Sequence, residues 1–418
     1  MLDTIRKSPT SIWLVCALAL LLAPLVFAQD AALSILCLMG MAIIFGLSFN
    51  ILLGQGGMLS FGHAVYAGLG AYAAIHALRL AEAGTLPIPV SLVPLIGGLA
   101  GACAGIVLGY VTTRKAGITF AMISLGIVEL VSASALMFPT FFGGEGGINA
   151  NRVIGRPMLG ISYGPQIEVY YLIACWTFVS AAGIYAFTRT PLGRMLNAVR
   201  DNPERAAFVG YDPRRVRCLA LVASAFFAGI AGGLAAIHFE IVTPESVGLA
   251  RSAGVLLATF IGGVGYFFGP VIGAIAGVLL TTVLPSYTKA WQLYFGALFI
   301  LMVMIAPDGL TGFAVRQWRL LRSGHFGAVA KRSMVLLAAL LPTCMGLATL
   351  IEMSYHRSLE AVGDPMLRWG GMTMDTSTPT PWLLAALLMF AGMFACKLAW
   401  PPYRQICAMA MHTQEGAV

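Results

Sequence analysis

Apolar residues in this chain fall into long, almost uncharged blocks separated by short polar breaks. A helix rises about 1.5 Å per residue and hydrocarbon is about 30 Å thick, so roughly 20 apolar residues cross a bilayer. On that measure the blocks predict membrane segments at 12–28, 31–53, 58–78, 90–113, 117–138, 167–187, 217–239, 253–264, 268–285, 290–307, 334–352 and 382–399. The block at 253–264 is too short to cross and is expected as a re-entrant or short half of a helix pair. The expectation is an all-α polytopic membrane protein with about 12 membrane segments. The first block ends in Val26-Phe27-Ala28, a site resembling a signal-peptidase cut, and we expect an uncleaved span there.

One stretch breaks the apolar pattern most sharply, residues 188–217. Thr190-Pro191, Asn202-Pro203 and Asp212-Pro213 each set a capping side chain before a proline at the first helical position. Leu192, Met195, Leu196 and Val199 share one helical face, and Arg194, Asn197, Arg200 and Asp201 take the other. Asn202 precedes proline and interrupts the helix, and Gly210 suits a left-handed stop. The spacing predicts two short helices outside the bilayer, either docked on another protein or lying on anionic lipid.

Composition agrees with the pattern: 59% of residues are hydrophobic and 10% charged, with mean hydropathy +0.86. The net charge of +8 marks orientation in such a chain rather than nucleic-acid binding. With the N-terminus in the cytoplasm, 18 of the 25 Lys and Arg residues fall on the inner side, which supports both termini inside. The eight cysteines lie mainly in or beside apolar runs without metal-type spacing and read as small buried hydrophobes. No G-x-x-x-x-G-K-[ST] run occurs, so ATP use belongs to a separate subunit and this chain binds no cofactor of its own. His, Asp and Cys do not cluster at catalytic spacing, and the chain is read as no enzyme.

Two glycine clusters carry candidate pathway features. In GQGGMLSFGH, residues 54–63, Gly54, Gly56 and Gly57 favour a broken helix, with Gln55, Ser60 and His63 as polar groups beside it. Glu129 falls near the middle of its span, where a charge costs about 2.5–3.5 kcal/mol, so it faces protein or water. Its plain reading is a carboxylic acid hydrogen-bonded to a neighbouring helix, as that of His63 is a satisfied packing residue. Gly143, Gly144, Gly146 and Gly147 then open a long loop to residue 166.

Together GQGGMLSFGH, TFAMISLGIVELV followed by FFGGEGGI, PLGRMLNAVRDNPERAAFVGYDPRRVR running into FFAGIAGGL, IGGVGYFFGPVIGA and APDGLTG resemble the permease subunits of branched-chain amino acid ABC importers, over roughly 31–312. The resemblance implies an inner-membrane dimer of permeases, with cytoplasmic ABC ATPases below and a periplasmic solute-binding protein outside. It makes 188–217 the ATPase-coupling segment, with Gly193, Arg194, Arg200, Asp201, Asn202, Glu204, Ala206, Ala207 and Gly210 as contact candidates. Pathway candidates are Gly54, Gln55, Gly56, Ser60, Gly62, His63, Ser124, Glu129, Gly143, Gly144, Gly146 and Gly147. A sugar-type ABC permease and an ion-coupled secondary transporter using Glu129 remain as alternatives. The expected divisions are a basic leader and first span at 1–30, the permease domain at 31–312, a basic cytoplasmic linker at 313–333, and a two-span extension at 334–418 that departs from the family pattern.

Overall fold

The computed structural model describes residues 9–153, 162–305, 308–322, 326–360, 366–369 and 372–415. The basic leader and the inner part of the long loop, 154–161, lie outside them. Among the described residues nine helices are long and apolar enough to cross a membrane, and Trp291–Met304 with Gly309–Trp318 make a tenth if counted together across a 52° bend. The all-α polytopic expectation holds. The count of twelve does not carry over whole, because Ser11–Val26 and Leu249–Gly262 are apolar but short. The 14 residues of Leu249–Gly262 cover only about 21 Å. The helix stops where Gly263 takes φ +109, a conformation open to a residue without Cβ.

The chain divides into two compact units, Met1–Thr282 with Phe299–Thr311, and Val283–Leu298 with Gly312–Val418. The first is built around the 27-residue helix Pro213–Phe239, which packs on Val93–Thr112, His63–Glu82 and Asp30–Asn50. Its middle reads AGIAGG because the neighbouring backbones come very close. A Cβ added at Gly229 would run into the Gly97 carbonyl, and one at Gly232 into the Ala67 carbonyl. In a membrane, where lipid is as apolar as leucine, such close backbone packing is what holds helices together.

At one end of this helix a small antiparallel bridge joins Ile148–Asn149 to Ile241–Val242. Arg152 secures the surrounding loops, donating from its side chain to the carbonyls of Tyr163 at 2.8 Å, Gly164 at 3.2 Å and His238 at 3.3 Å. At the other end lies the 191–210 segment. The helix separates the two ends by about 40 Å.

In the second unit the helices Phe326–Tyr355 and Pro379–Glu415 pair closely, with Gly346 against the Ala385 carbonyl and Gly392 against Thr343. Strands Met366–Trp369 and Met372–Asp375 form an antiparallel hairpin. Buried Glu352 accepts hydrogen bonds from the Thr288 and Tyr294 hydroxyls, which ties residues 283–298 to the extension. The stretch expected as a linker, 313–333, is helical where described, in Gly309–Arg322 and the start of Phe326–Tyr355. Its charges are Arg and Lys, which are good helix formers.

The packing predicts a contrast between two glycines. Gly232→Val should cost about 1–3 kcal/mol or more through overpacking and lower the aggregation temperature in detergent. Gly126→Ala, where an added Cβ meets nothing within 4 Å, should leave it unchanged.

Candidate functional site

The first glycine cluster does break its helix, and the way it breaks makes the site. Asp30–Asn50 runs on into a wider π-type turn, Ile51–Gln55. Gly57 then takes φ +61, and the Met58 N–H turns back to the Leu52 carbonyl at 2.9 Å. In a continued helix that N–H would bond the Gly54 carbonyl, so the carbonyl is left free. Arg200 supplies the missing donor, Nη1 to the Gly54 oxygen at 2.5 Å. Beside it Asn197 Nδ2 donates to Gln55 Oε1 at 2.8 Å. The room for this contact comes from glycine: Cβ atoms at Gly56 and Gly57 would meet Leu196 at 3.2 Å and the Arg200 stem at 2.8 Å.

Both donors sit on the first of the two short helices that the sequence predicts, Pro191–Asp201, which is followed by the second, Pro203–Phe208. Each of the three starts is capped as expected: Thr190 accepts from Gly193 N–H, Asn202 from Arg205 N–H and Asp212 from Arg214 N–H. Each cap contributes about 1 kcal/mol. Gly210, at φ +95, ends the second helix. Leu196, Val199 and Ala206 are buried, and Gly193 is pressed against the Phe187 carbonyl. Arg194, Asp201, Asn202, Glu204, Ala207 and Gly210 are exposed. Arg200 spans both sides, since its Nε also lies 3.1 Å from the exposed Asp201 carboxylate. Phe208 is 90% exposed and stands next to exposed Val209, an apolar tip that sequence reading passed over although it interrupts a charged stretch.

Beyond the break the chain is held again. Phe61 N–H donates to Ser124 Oγ at 2.9 Å, and Gly62 lies against the Ser124 carbonyl. Ser60 is buried. His63 is fully buried, stacked on Phe45 at 5.2 Å with Nε2 2.9 Å from Ser48 Oγ, while its Nδ1 has no partner among the described residues, so it is packed but only half satisfied. Ala64 N–H donates to Ser252 Oγ at 2.9 Å, which joins the short helix Leu249–Gly262 to the start of His63–Glu82. A second break abuts the first: a Cβ at Gly54 would meet the Val264 carbonyl at 2.8 Å.

Glu129 corrects its plain reading. It is exposed on Ile118–Met137 and has no hydrogen bond from a neighbouring helix among the described residues. Five residues separate it from Ser124, about 140° around the helix, so the helix that holds Phe61 with one face turns Glu129 outward with another. The Gly143–Gly147 turn is also apart from the break. Gly143, Gly144 and Gly147 have φ of +80, +63 and +70, and Gly147 backs onto the Val242 carbonyl beside the strand bridge. The pathway candidates thus form three groups: Gly54, Gln55 and Gly56 with Arg200; Ser60, Gly62 and His63 with Ser124; and the glycine turn with Val242. Among the described residues no three His, Cys, Asp or Glu side chains gather to hold a metal.

Arg200→Ala should leave the Gly54 carbonyl without its donor and loosen the short helix by about 1 kcal/mol, the worth of a partly exposed hydrogen bond. Amide exchange across 194–201 should then quicken about fivefold, as read by mass spectrometry, while exchange in 220–236 stays unchanged.

The model of the family described as "Branched-chain amino acid transport system / permease component" matches residues 31–307. The high-affinity branched-chain amino acid transport system permease protein LivM of Escherichia coli is 32% identical over 295 residues, covering 64% of this chain and 67% of that protein. LivM of Salmonella typhimurium is 31% identical over 310 residues, covering 68% and 70%. The probable branched-chain amino acid transport permease protein LivH of Methanocaldococcus jannaschii is 26% identical over 271 residues, covering 60% and 82%. No solved structure matches. With a break at 51–57 held by the 191–201 helix, and with this match over most of its length, the chain belongs to the family of branched-chain amino acid transport permeases.

Proposed function

We propose that this chain is the membrane permease subunit of an ATP-binding cassette importer that carries branched-chain or related amino acids across a bacterial inner membrane. It works with cytoplasmic ATPase subunits, a second permease subunit and a periplasmic solute-binding protein, and both of its termini lie in the cytoplasm. The observation that carries the reading is the docking of Pro191–Asp201 on the helix break, through Arg200 to Gly54 and Asn197 to Gln55. A helix held on its inner side and charged on its outer side is suited to receive a push and pass it on.

In this mechanism ATP is hydrolysed in the partner subunits, whose closure displaces the helix pair 191–208. Arg194, Asp201, Glu204, Ala207 and the Phe208 tip meet the ATPase. The displacement reaches Ile51–Gly57 through the two hydrogen bonds. The non-helical stretch after it, 56–62, lets Asp30–Asn50 and His63–Glu82 change their angle and switch access between the two faces. Glu129 supports the second permease: a carboxylate exposed at mid-span costs about 2.5–3.5 kcal/mol against lipid, and a partner subunit or a water-lined seam removes that cost.

The same exposed Glu129 favours the ion-coupled alternative, so the test separates the two. In vesicles carrying the whole importer, leucine uptake should require ATP and survive collapse of the ion gradients. Asp201→Arg and Phe208→Glu should each lower uptake by about tenfold or more, the effect of losing an interface hot spot. The variant chains should stay monodisperse in detergent but no longer retain the ATPase. Uptake at the normal rate in both variants removes the coupling role, and uptake driven by a gradient without ATP transfers the function to Glu129.

A further inference from the structure

At the end of Pro213–Phe239 remote from the short helices, the first unit holds a cavity of about 290 Å³. That is the lower edge of the size range of small-molecule pockets, about 300–1,000 Å³. Its apolar wall includes Ala71 and Ala235, and its polar wall Glu245, Ser246 and Arg251. Three features of that polar wall stand out. Arg251 is partly buried, and among the described residues it forms no hydrogen bond or ion pair; its neighbour is the Phe45 ring, 5.9 Å from the guanidinium. Ser246 is 9% exposed and its Oγ has no partner among the described residues. Glu245 is exposed at the rim and is not paired with Arg251.

A guanidinium and a hydroxyl left unpaired while largely shielded from water are costly unless a ligand completes them. Arg251 also lies in the first turn of Leu249–Gly262, whose N-cap Gly248 offers no side-chain cap, so the amide dipoles there add to the positive potential. One wall of the cavity thus favours a carboxylate, the rim favours a cation, and the small alanines leave room for an uncharged side chain. We propose that this cavity binds a zwitterionic α-amino acid, with Arg251 and Ser246 on its carboxylate and Glu245 on its ammonium. The proposal rests on the importer reading and assigns that reading a recognition site.

The cavity is also wired to the break. Phe45 lies between Arg251 and His63, at 5.9 Å and 5.2 Å, and Ser252, next to Arg251, accepts the Ala64 N–H at the start of His63–Glu82. A ligand that draws Arg251 toward the cavity therefore pulls on the segment that follows the break.

The test uses the permease and ATPase subunits in nanodiscs, without ATP and without the solute-binding protein, and measures binding of leucine, leucinamide and N-acetylleucine. The wild type should bind leucine at least about tenfold more tightly than either analogue, as expected for a lost charge-assisted hydrogen bond. Arg251→Ala should erase the preference over leucinamide, Arg251→Lys should restore part of it, and Glu245→Gln should erase the preference over N-acetylleucine. Unchanged selectivity in Arg251→Ala and Glu245→Gln, with leucine uptake intact in the wild type, overturns the cavity assignment alone. A wild-type importer that takes up no amino acid overturns the importer reading, and the ligand with it.

Discussion

A buried carbonyl that loses its helical donor must find another, because an unpaired buried carbonyl costs about as much as a lost hydrogen bond. The Gly54 carbonyl is in that position, since Met58 N–H has turned back to Leu52. Its donor comes from Arg200, 146 residues away, on a helix outside the apolar spans. The break and the short helix therefore depend on each other. The break exposes the acceptor, the helix brings the donor, and glycines at 56 and 57 let the two meet.

The rest of the first unit gives this contact something firm to work against. Backbone meets backbone where Gly229 and Gly232 face Gly97 and Ala67. Such packing moves as a body and does not bend gradually. Change of shape is then left to the interrupted segments, 56–62 and the neighbouring turn at 263–268, which abut through Gly54 and Val264. Ser124, Ser48 and Ser252 hold the chain on the far side of the first interruption. A push at 191–201 and a ligand near Arg251 thus act on the same short stretch from opposite ends.

Local chemistry was legible in the sequence, and long-range pairing was not. The caps at Thr190, Asn202 and Asp212, the stop at Gly210 and the break among Gly54, Gly56 and Gly57 each follow from a few adjacent residues. The partner of the break does not, because Arg200 and Asn197 carry no mark that singles out Gly54 and Gln55 as their targets. Glu129 could be recognised as a mid-span charge, yet which way it faces depends on where the helix turns Ser124. Arg251 carries no mark in the sequence, since its lack of a partner is a property of the fold. The stretch 313–333 was read only as a basic linker, although its Arg and Lys residues are good helix formers and its described parts are helical.

The central claim is that the short helix and the break move as one piece. The most direct measurement is transport after joining them covalently, with Gln55→Cys and Asn197→Cys in a chain whose native cysteines are replaced. With the disulfide formed, leucine uptake driven by ATP should continue at close to the rate of the reduced protein. Uptake that stops on oxidation and returns on reduction would mean that the helix slides over the break, and would contradict the account.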